Sequence, residues 1–368
     1  MALKTTNVRG LDVQELVDQI YAEIHQDNEK LIMYFVSATQ YNFQDVSKRL
    51  ADKFPDAEVV GCSTAGEIIS GQGSVDGSIT AISFGEDKVG EVAVFTVDLD
   101  KLDQCVEDFR AFKTAFVNPV EIEHYIGLTL IDGSSLKEES LMDKLGNAAP
   151  ELILVGGSAG DGMNFGTTYV AHNGKIMEHG AVIPLLKMKT NYAVIQTSSY
   201  KASNVKFVAT KTSPEKRLIH EINGMNAVEF YRQIVPAEVY DVGVFAAHPI
   251  GLEFDGGNAF VRSIKNFTDD GSLLLYCAVN EDTQLCLLEP IDIVEDMNNA
   301  LTNGINEVGG SSGGILFSCI LQKIEILTLG KQDEFVKLLE GRNLAGFFTY
   351  GENYFAHMNQ TLTGLLIA

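Results

Sequence analysis

The sequence predicts a mixed α+β protein of the α/β class, built from duplicated α/β sub-domains with mixed sheets and divided into two domains. Three observations carry that expectation. Short apolar runs of strand length alternate with helical spacings along the chain. A glycine turn recurs three times after such runs. The chain's 368 residues, 45% of them hydrophobic, exceed what one small core needs.

In the first pass, residues 12–25 carry Val13, Leu16, Val17, Ile20 and Ile24 at helical spacing. Residues 31–36 read as a buried strand, 43–54 as a helix and 58–61 as a strand entering a turn at Gly61. Residues 78–84 and 89–97 are successive strands, and 102–116 is a helix. The pattern then restarts, with strand 125–131, helix 138–145 and strand 151–155, then strands 176–186 and 191–197. In the third pass, strands 272–279 and 283–288 are expected to pair. Helix 291–305, strand 314–321, helix 333–339, strand 344–350 and a final strand 362–367 follow. Polar residues and Pro214 make 200–214 the least regular stretch, which places the division near residue 212: domains 1–212 and 213–368.

The turns are the chemically suggestive part. Gly61-Cys62-Ser63-Thr64-Ala65-Gly66-Glu67 and Gly346-Phe347-Phe348-Thr349-Tyr350-Gly351-Glu352 share Gly, Thr, Gly and Glu in one register. Gly156-Gly157-Ser158-Ala159-Gly160-Asp161 is the same turn less one residue, with Asp161 as the shortened counterpart of the two glutamates. Backbone N–H groups freed by such turns, with the Ser63 and Thr64 hydroxyls, can hold a carboxylate, and Glu67 can accept from an ammonium group. The plainer alternative is that tight strand exits use these residues for structural reasons. Cys62 is a nucleophile only if a neighbour lowers its pKa; the matching positions are Gly157 and Phe347, and a buried thiol is the commoner state. Cys319, inside an apolar strand, reads the same way.

His248, after the apolar stretch 242–247 and before Pro249, can line a pocket or ligate a metal or haem iron, although a satisfied, partly buried histidine is commoner. No histidine pair has zinc-ligand spacing, and five dispersed cysteines without a CxxC pair argue against a disulfide framework. The glycine-rich run 309–314 precedes a strand and lacks the following Lys of a phosphate loop. A formal net charge of -23 without clustered Lys and Arg argues against nucleic acid and anionic membranes as partners. The longest apolar runs fall far short of the ~20 residues of a membrane span, and 1–10 lacks a signal-peptide core, so a cytoplasmic setting is expected.

The string Val60-Gly61-Cys62-Ser63-Thr64-Ala65-Gly66-Glu67-Ile68 resembles the signature of the FIST family (F-box and intracellular signal transduction proteins), N-terminal domain. The resemblance continues through Leu154-Val155-Gly156-Gly157-Ser158-Ala159-Gly160-Asp161 and Gly180-Ala181-Val182. His248-Pro249-Ile250-Gly251-Leu252, Val261-Arg262-Ser263, Phe317-Ser318-Cys319 and the third turn resemble the FIST C-terminal domain. At Leu321-Gln322 the chain departs from the Gly-Arg often found after that Cys. The resemblance implies a sensory module for a small ligand, with amino acids proposed. Its output partner would be a histidine kinase, a cyclic-dinucleotide enzyme or a chemotaxis protein. No cofactor is expected beyond the haem that some members bind to sense nitric oxide. Gly61, Cys62, Ser63, Thr64, Gly66, Glu67, Gly157, Ser158, Asp161, His248, Arg262, Ser318, Cys319, Thr349, Tyr350 and Glu352 are the expected ligand-binding positions. The cavity is expected between the two domains, and no catalytic residue is assigned. An enzyme using Cys62 is the lesser alternative.

Overall fold

A computed structural model describes residues 3–253 and 259–368. They form two compact units, Met1–Gln196 with Asn298–His357 and Leu362–Ala368, and Thr197–Met297 with Met358–Thr361. Among the described residues no helix is long and apolar enough to cross a membrane.

The first unit contains one motif three times: strand, helix, strand, helix, strand, short hairpin, strand. The first copy runs Lys4–Val8, helix Val13–Ile24, Glu29–Val36, helix Phe43–Lys53, Glu58–Ser63, the hairpin Glu67–Ile69 with Gly73–Val75, and Ile79–Gly85. The second runs Val89–Asp98, helix Leu102–Phe116, Tyr125–Ile131, helix Glu138–Ala148, Ile153–Ser158, the hairpin Val170–His172 with Lys175–Met177, and Gly180–Met188. The third opens with Tyr192–Thr197 and resumes at helix Ile293–Glu307, Gly313–Cys319, helices Ile320–Thr328 and Gln332–Leu339, and Leu344–Thr349. It ends with Glu352–Tyr354, Ala356–Met358 and Leu362–Ile367. The second unit is thus an insertion within the third copy.

Local chemistry explains the elements. Asp12 caps the first helix by accepting from the Glu15 amide at 3.0 Å, and Asn42 caps the second through the Asp45 amide at 2.9 Å. Leu16, Val17, Ile20 and Ile24 form the buried stripe of the first helix and pack in one cluster with Ile32, Tyr34 and Val46. Strands of near-continuous apolar sequence, such as Tyr125–Ile131, are buried on both faces.

Each copy builds four strands of a six-stranded sheet, and a neighbouring copy supplies the remaining hairpin. The first copy's hairpin pairs with Leu344–Thr349 of the third, the third's with Ile153–Ser158 of the second, and the second's with Glu58–Ser63 of the first. The exchange is cyclic and closes. Phe35, Cys62, Val155, Phe317 and Phe347, contributed by all three sheets, meet in one buried cluster, where Phe35 and Phe347 stack at 4.7 Å.

The second unit is an eight-stranded antiparallel sheet, ordered Ala259–Arg262, Ile250–Glu253, Thr283–Pro290, Tyr200–Ser213, Leu218–Ile222, Leu273–Leu275 and Ile264–Phe267, with Met225–Asn226 beside Leu218–Ile222. Tyr231 of helix Ala227–Ile234 and Phe245 of helix Val242–Ala247 pack on its core.

Three local expectations differ from the structure. The stretch 200–214 is the long strand Tyr200–Ser213 rather than irregular chain; only Phe207, Ala209 and Tyr200 are buried on it, so its solvated polar residues mimic a loop. Residue 212, the expected division, lies inside that strand. Leu273–Leu275 and Thr283–Pro290 do not pair with each other; their partners are Leu218–Ile222 and Tyr200–Ser213. Ile320 and Leu321 begin a helix instead of ending a strand, because an apolar run shows the same periodicity in both.

Candidate functional site

The three glycine turns lie together in the first unit, where they bond to one another. Ala65 N–H donates to Phe348 O at 3.0 Å and Phe348 N–H to Gly66 O at 2.7 Å. Ser158 N–H donates to Gly351 O at 2.8 Å and Tyr350 N–H to Ser158 O at 3.1 Å. Gly160 and Gly162 N–H groups donate to Ser63 O and Thr64 O, both at 3.0 Å. The amides that the sequence suggested for an anion are therefore engaged, since each copy supplies acceptors for its neighbours.

The first glycine of each turn has a packing reason. A Cβ on Gly61, Gly156 or Gly346 would stand no more than 2.5 Å from the carbonyl oxygen of Tyr34, Thr129 or Leu316, its neighbour on the parallel strand. Gly157 faces Thr349 with similar closeness, its added Cβ 2.5 Å from the Thr349 methyl.

Glu67 is fully buried, and hydroxyls surround its carboxylate. Ser37 donates to both oxygens at 2.9 and 3.0 Å, Ser78 donates at 2.5 Å, and Thr64 donates as well. Burial pushes this carboxyl up to about 7 against the pull of the Ser78, Thr64 and Ser37 hydroxyls. Thr349 donates to the equally buried Glu352, repeating the first turn.

The middle copy departs from the expected correspondence. The strand register places Val170 opposite Cys62, as Glu67 lies opposite Phe347 and Glu352 opposite Gly157. Val170, not Asp161, occupies the glutamate position, because a longer loop precedes the second hairpin. One buried acid of this copy, Asp132, stands at the strand end that matches Ser37. It accepts from Thr168 Oγ1, from Ser134 N and Oγ at 2.9 and 2.7 Å, and from His179 N at 3.0 Å. Its signal was present as an apolar strand ending in Asp-Gly-Ser-Ser at 132–135. Asp161 holds the loop: it accepts from the Tyr350 hydroxyl and from Gly166 N at 2.8 Å, while Phe165 stacks on Tyr350 at 4.8 Å.

The remaining expected positions scatter. Ser63 Oγ accepts from Tyr169 N at 3.0 Å, and Ser318 donates to Gln322 Oε1 at 2.8 Å. Ser158 is buried. Cys62 and Cys319 are buried and form no disulfide; burial, then the nearby Glu67 carboxyl, hold Cys62 well above the ordinary thiol range. In the second unit, Arg262 donates to Val261 O at 3.0 Å. His248, expected to be partly buried, is exposed at the end of a six-residue helix, and its backbone carbonyl accepts from Tyr231 at 2.9 Å. An exposed imidazole offers a ligand atom without the apolar walls of an enclosed macrocycle, so its surroundings do not fit a buried haem.

Sequence reasoning missed Lys323. Its helix, Ile320–Thr328, presents it beside the first turn, where only 7% of the residue remains exposed. Its ammonium donates to Ala65 O at 3.1 Å and to Asp76 Oδ1 at 2.5 Å, and lies 5.3 Å over the Phe348 ring. Gly66, at φ +119°, makes this possible: a Cβ there would stand 2.5 Å from Lys323 Nζ. A cleft of about 130 Å³ opens on the pair, lined also by Gln72, Ser74, Phe335 and Phe348. A buried cation, an exposed carboxylate and an aromatic wall thus converge beside the glycine turn.

A family model described as the FIST N domain matches residues 30–225, and one described as the FIST C domain matches 227–354. No curated protein matches the chain. The two domain models together span most of the sequence, and the chain belongs to the FIST family of sensory domains associated with signal transduction.

Proposed function

We propose that this chain is a cytoplasmic sensor that binds a free α-amino acid at the Lys323–Asp76 cleft and acts on a separate output protein. The observation that carries this reading is the ion pair itself, one member buried and the other exposed, beside an aromatic wall. A zwitterion replaces one Lys–Asp bond by two charge-assisted bonds: its carboxylate takes the Lys323 ammonium and its ammonium takes the Asp76 carboxylate. The small cleft volume favours a short side chain against Phe348 and Phe335.

The same lysine holds the Ala65 carbonyl, and Ala65 bonds the third turn. Differential binding to two arrangements of Lys323 would therefore bias the interlocked turns, which is the physical requirement for passing on a signal. A histidine kinase, a cyclic-dinucleotide enzyme or a chemotaxis protein would read that change. The role requires no chemistry at Cys62 and no nucleic acid, membrane or haem. Calorimetry of the purified full chain against the twenty amino acids tests it. Binding of at least one small amino acid, weakened at least about tenfold in Lys323→Met, is expected from the loss of a charge-assisted bond. Silence across the panel, or binding unaltered by the substitution, would overturn the assignment.

A further inference from the structure

A strand and two helices of the first unit wall the Lys323–Asp76 cleft. Alternation along strand Gly73–Val75 sets Ser74 and the following Asp76 on one side. Helix Ile320–Thr328 contributes Lys323, Ile326 and Leu327, and helix Gln332–Leu339 contributes Gln332, Phe335 and Val336. Each set has the i, i+3, i+4 spacing of one helix face. The aromatic wall gives the cleft a direction. The Lys323 ammonium lies 5.3 Å over Phe348, the Phe348 and Phe335 rings have centroids 6.4 Å apart, and Val336 adjoins Phe335. At the Val336 end the hairpin meets the helix through Gly73. A Cβ on Gly73, whose φ is +75°, would stand 2.8 Å from Val336 Cγ2 and 3.5 Å from Phe335 Cδ1. Asp76 lies about 10 Å further along the strand, at ~3.3 Å per residue. One end of the cleft is therefore charged, and a branched aliphatic side chain closes the other.

We propose that, on the reading of this cleft as an amino-acid site, Val336 is its specificity-determining residue and restricts the ligand to short aliphatic side chains, alanine to valine. With the α-carboxylate on Lys323 and the α-ammonium on Asp76, the side chain runs over Phe348 and Phe335 toward Val336. The cleft volume of about 130 Å³ is the share of about four water molecules in the liquid, at ~30 Å³ each. The charged head of an amino acid takes most of that space, so each further methylene presses on Val336. Gly73 keeps Val336 from yielding, because Cγ2 is already packed against the hairpin. A glutamate side chain would set its charge against Phe335 and Val336. Among the described residues, Lys323 and Asp76 are the only charged groups lining the cleft, and the ligand's own head occupies both.

Calorimetry of the full chain with alanine, valine, leucine, phenylalanine and glutamate tests this. Wild type should bind alanine or valine at least about tenfold more tightly than the other three, since one methylene in an apolar pocket is worth ~10–200-fold. Val336→Ala should raise the affinity for leucine relative to alanine at least about tenfold. Val336→Ile should lower the affinity for valine relative to alanine by a similar factor. The ratio between ligands is the readout, because a variant that folds poorly weakens all of them together. Ratios unmoved by both substitutions, or a wild-type preference for phenylalanine or glutamate, would overturn the role of Val336 while the amino-acid site stands. Silence of wild type toward these five would overturn the restriction, and silence toward all twenty would overturn the site with it.

Discussion

Substituting Glu67 by Gln should remove most of one specific pH dependence of stability. The carboxyl is fully buried among hydroxyls, and burial moves it from 4.5 to about 7. The folded chain therefore keeps a proton that the unfolded chain releases between those values. Stability then falls as pH rises, by up to ~1.4 kcal/mol per pH unit, and levels off above the folded value. The whole excursion is about 3 kcal/mol. Gln keeps the shape and an acceptor oxygen but cannot ionise. Urea unfolding followed by circular dichroism, for both proteins from pH 4.5 to 8.5, reads the difference in stability. Wild type relative to Glu67→Gln should lose about 3 kcal/mol across that range, nearly all of it below pH 7.5. A difference that stays flat would show a carboxyl of ordinary pKa. A difference that grows in favour of wild type would show hydroxyl bonds to the carboxylate outweighing burial. Either result would refute the reasoning.

Gly346→Ala should cost at least ~3 kcal/mol or prevent folding, because the new Cβ collides with the Leu316 carbonyl; a loss under about 1 kcal/mol on chemical denaturation would contradict the close approach. Gly146→Ala, inside helix Glu138–Ala148 with open space around the added Cβ, should stabilise by ~0.5–1 kcal/mol, seen as a higher thermal midpoint. Cys62 should resist iodoacetamide in the folded protein at pH 7.5 and react only after unfolding, since its thiol is buried and its pKa raised. Rapid labelling of Cys62 by mass spectrometry would instead support the enzyme alternative.

Much of the first unit was legible because its information is local. Helix Leu102–Phe116 and strand Tyr125–Ile131 follow from periodicity and match the expected bounds. The threefold recurrence was visible in the turn glycines. Polar Tyr200–Ser213 was not legible, because a strand that buries only a few residues looks like a loop until its partners are known. Lys323 was invisible for a related reason: a lysine in an apolar helix carries no mark, and its partners Ala65 and Asp76 are about 250 residues away in sequence. Asp132 was overlooked because the acid changes position between copies. Ser37 opposite Glu67 in the first becomes Asp132 opposite Thr168 in the second, so the interaction recurs while the residue alignment does not.

Composition, periodicity and the repeated turns were enough to establish an α+β chain of repeated units and to point to its family. They also located the turns themselves. Only tertiary structure decided that three copies close into a ring, that each lends a hairpin to a neighbour's sheet, and that the second unit is inserted in the third copy. It also decided what the turns do. Glycine in sequence permits close approach without saying to what, and here the approaching groups are other strands and, at Gly66, the Lys323–Asp76 pair. Strand order and side-chain partnership depend on contacts between residues far apart in the chain, which local pattern does not encode.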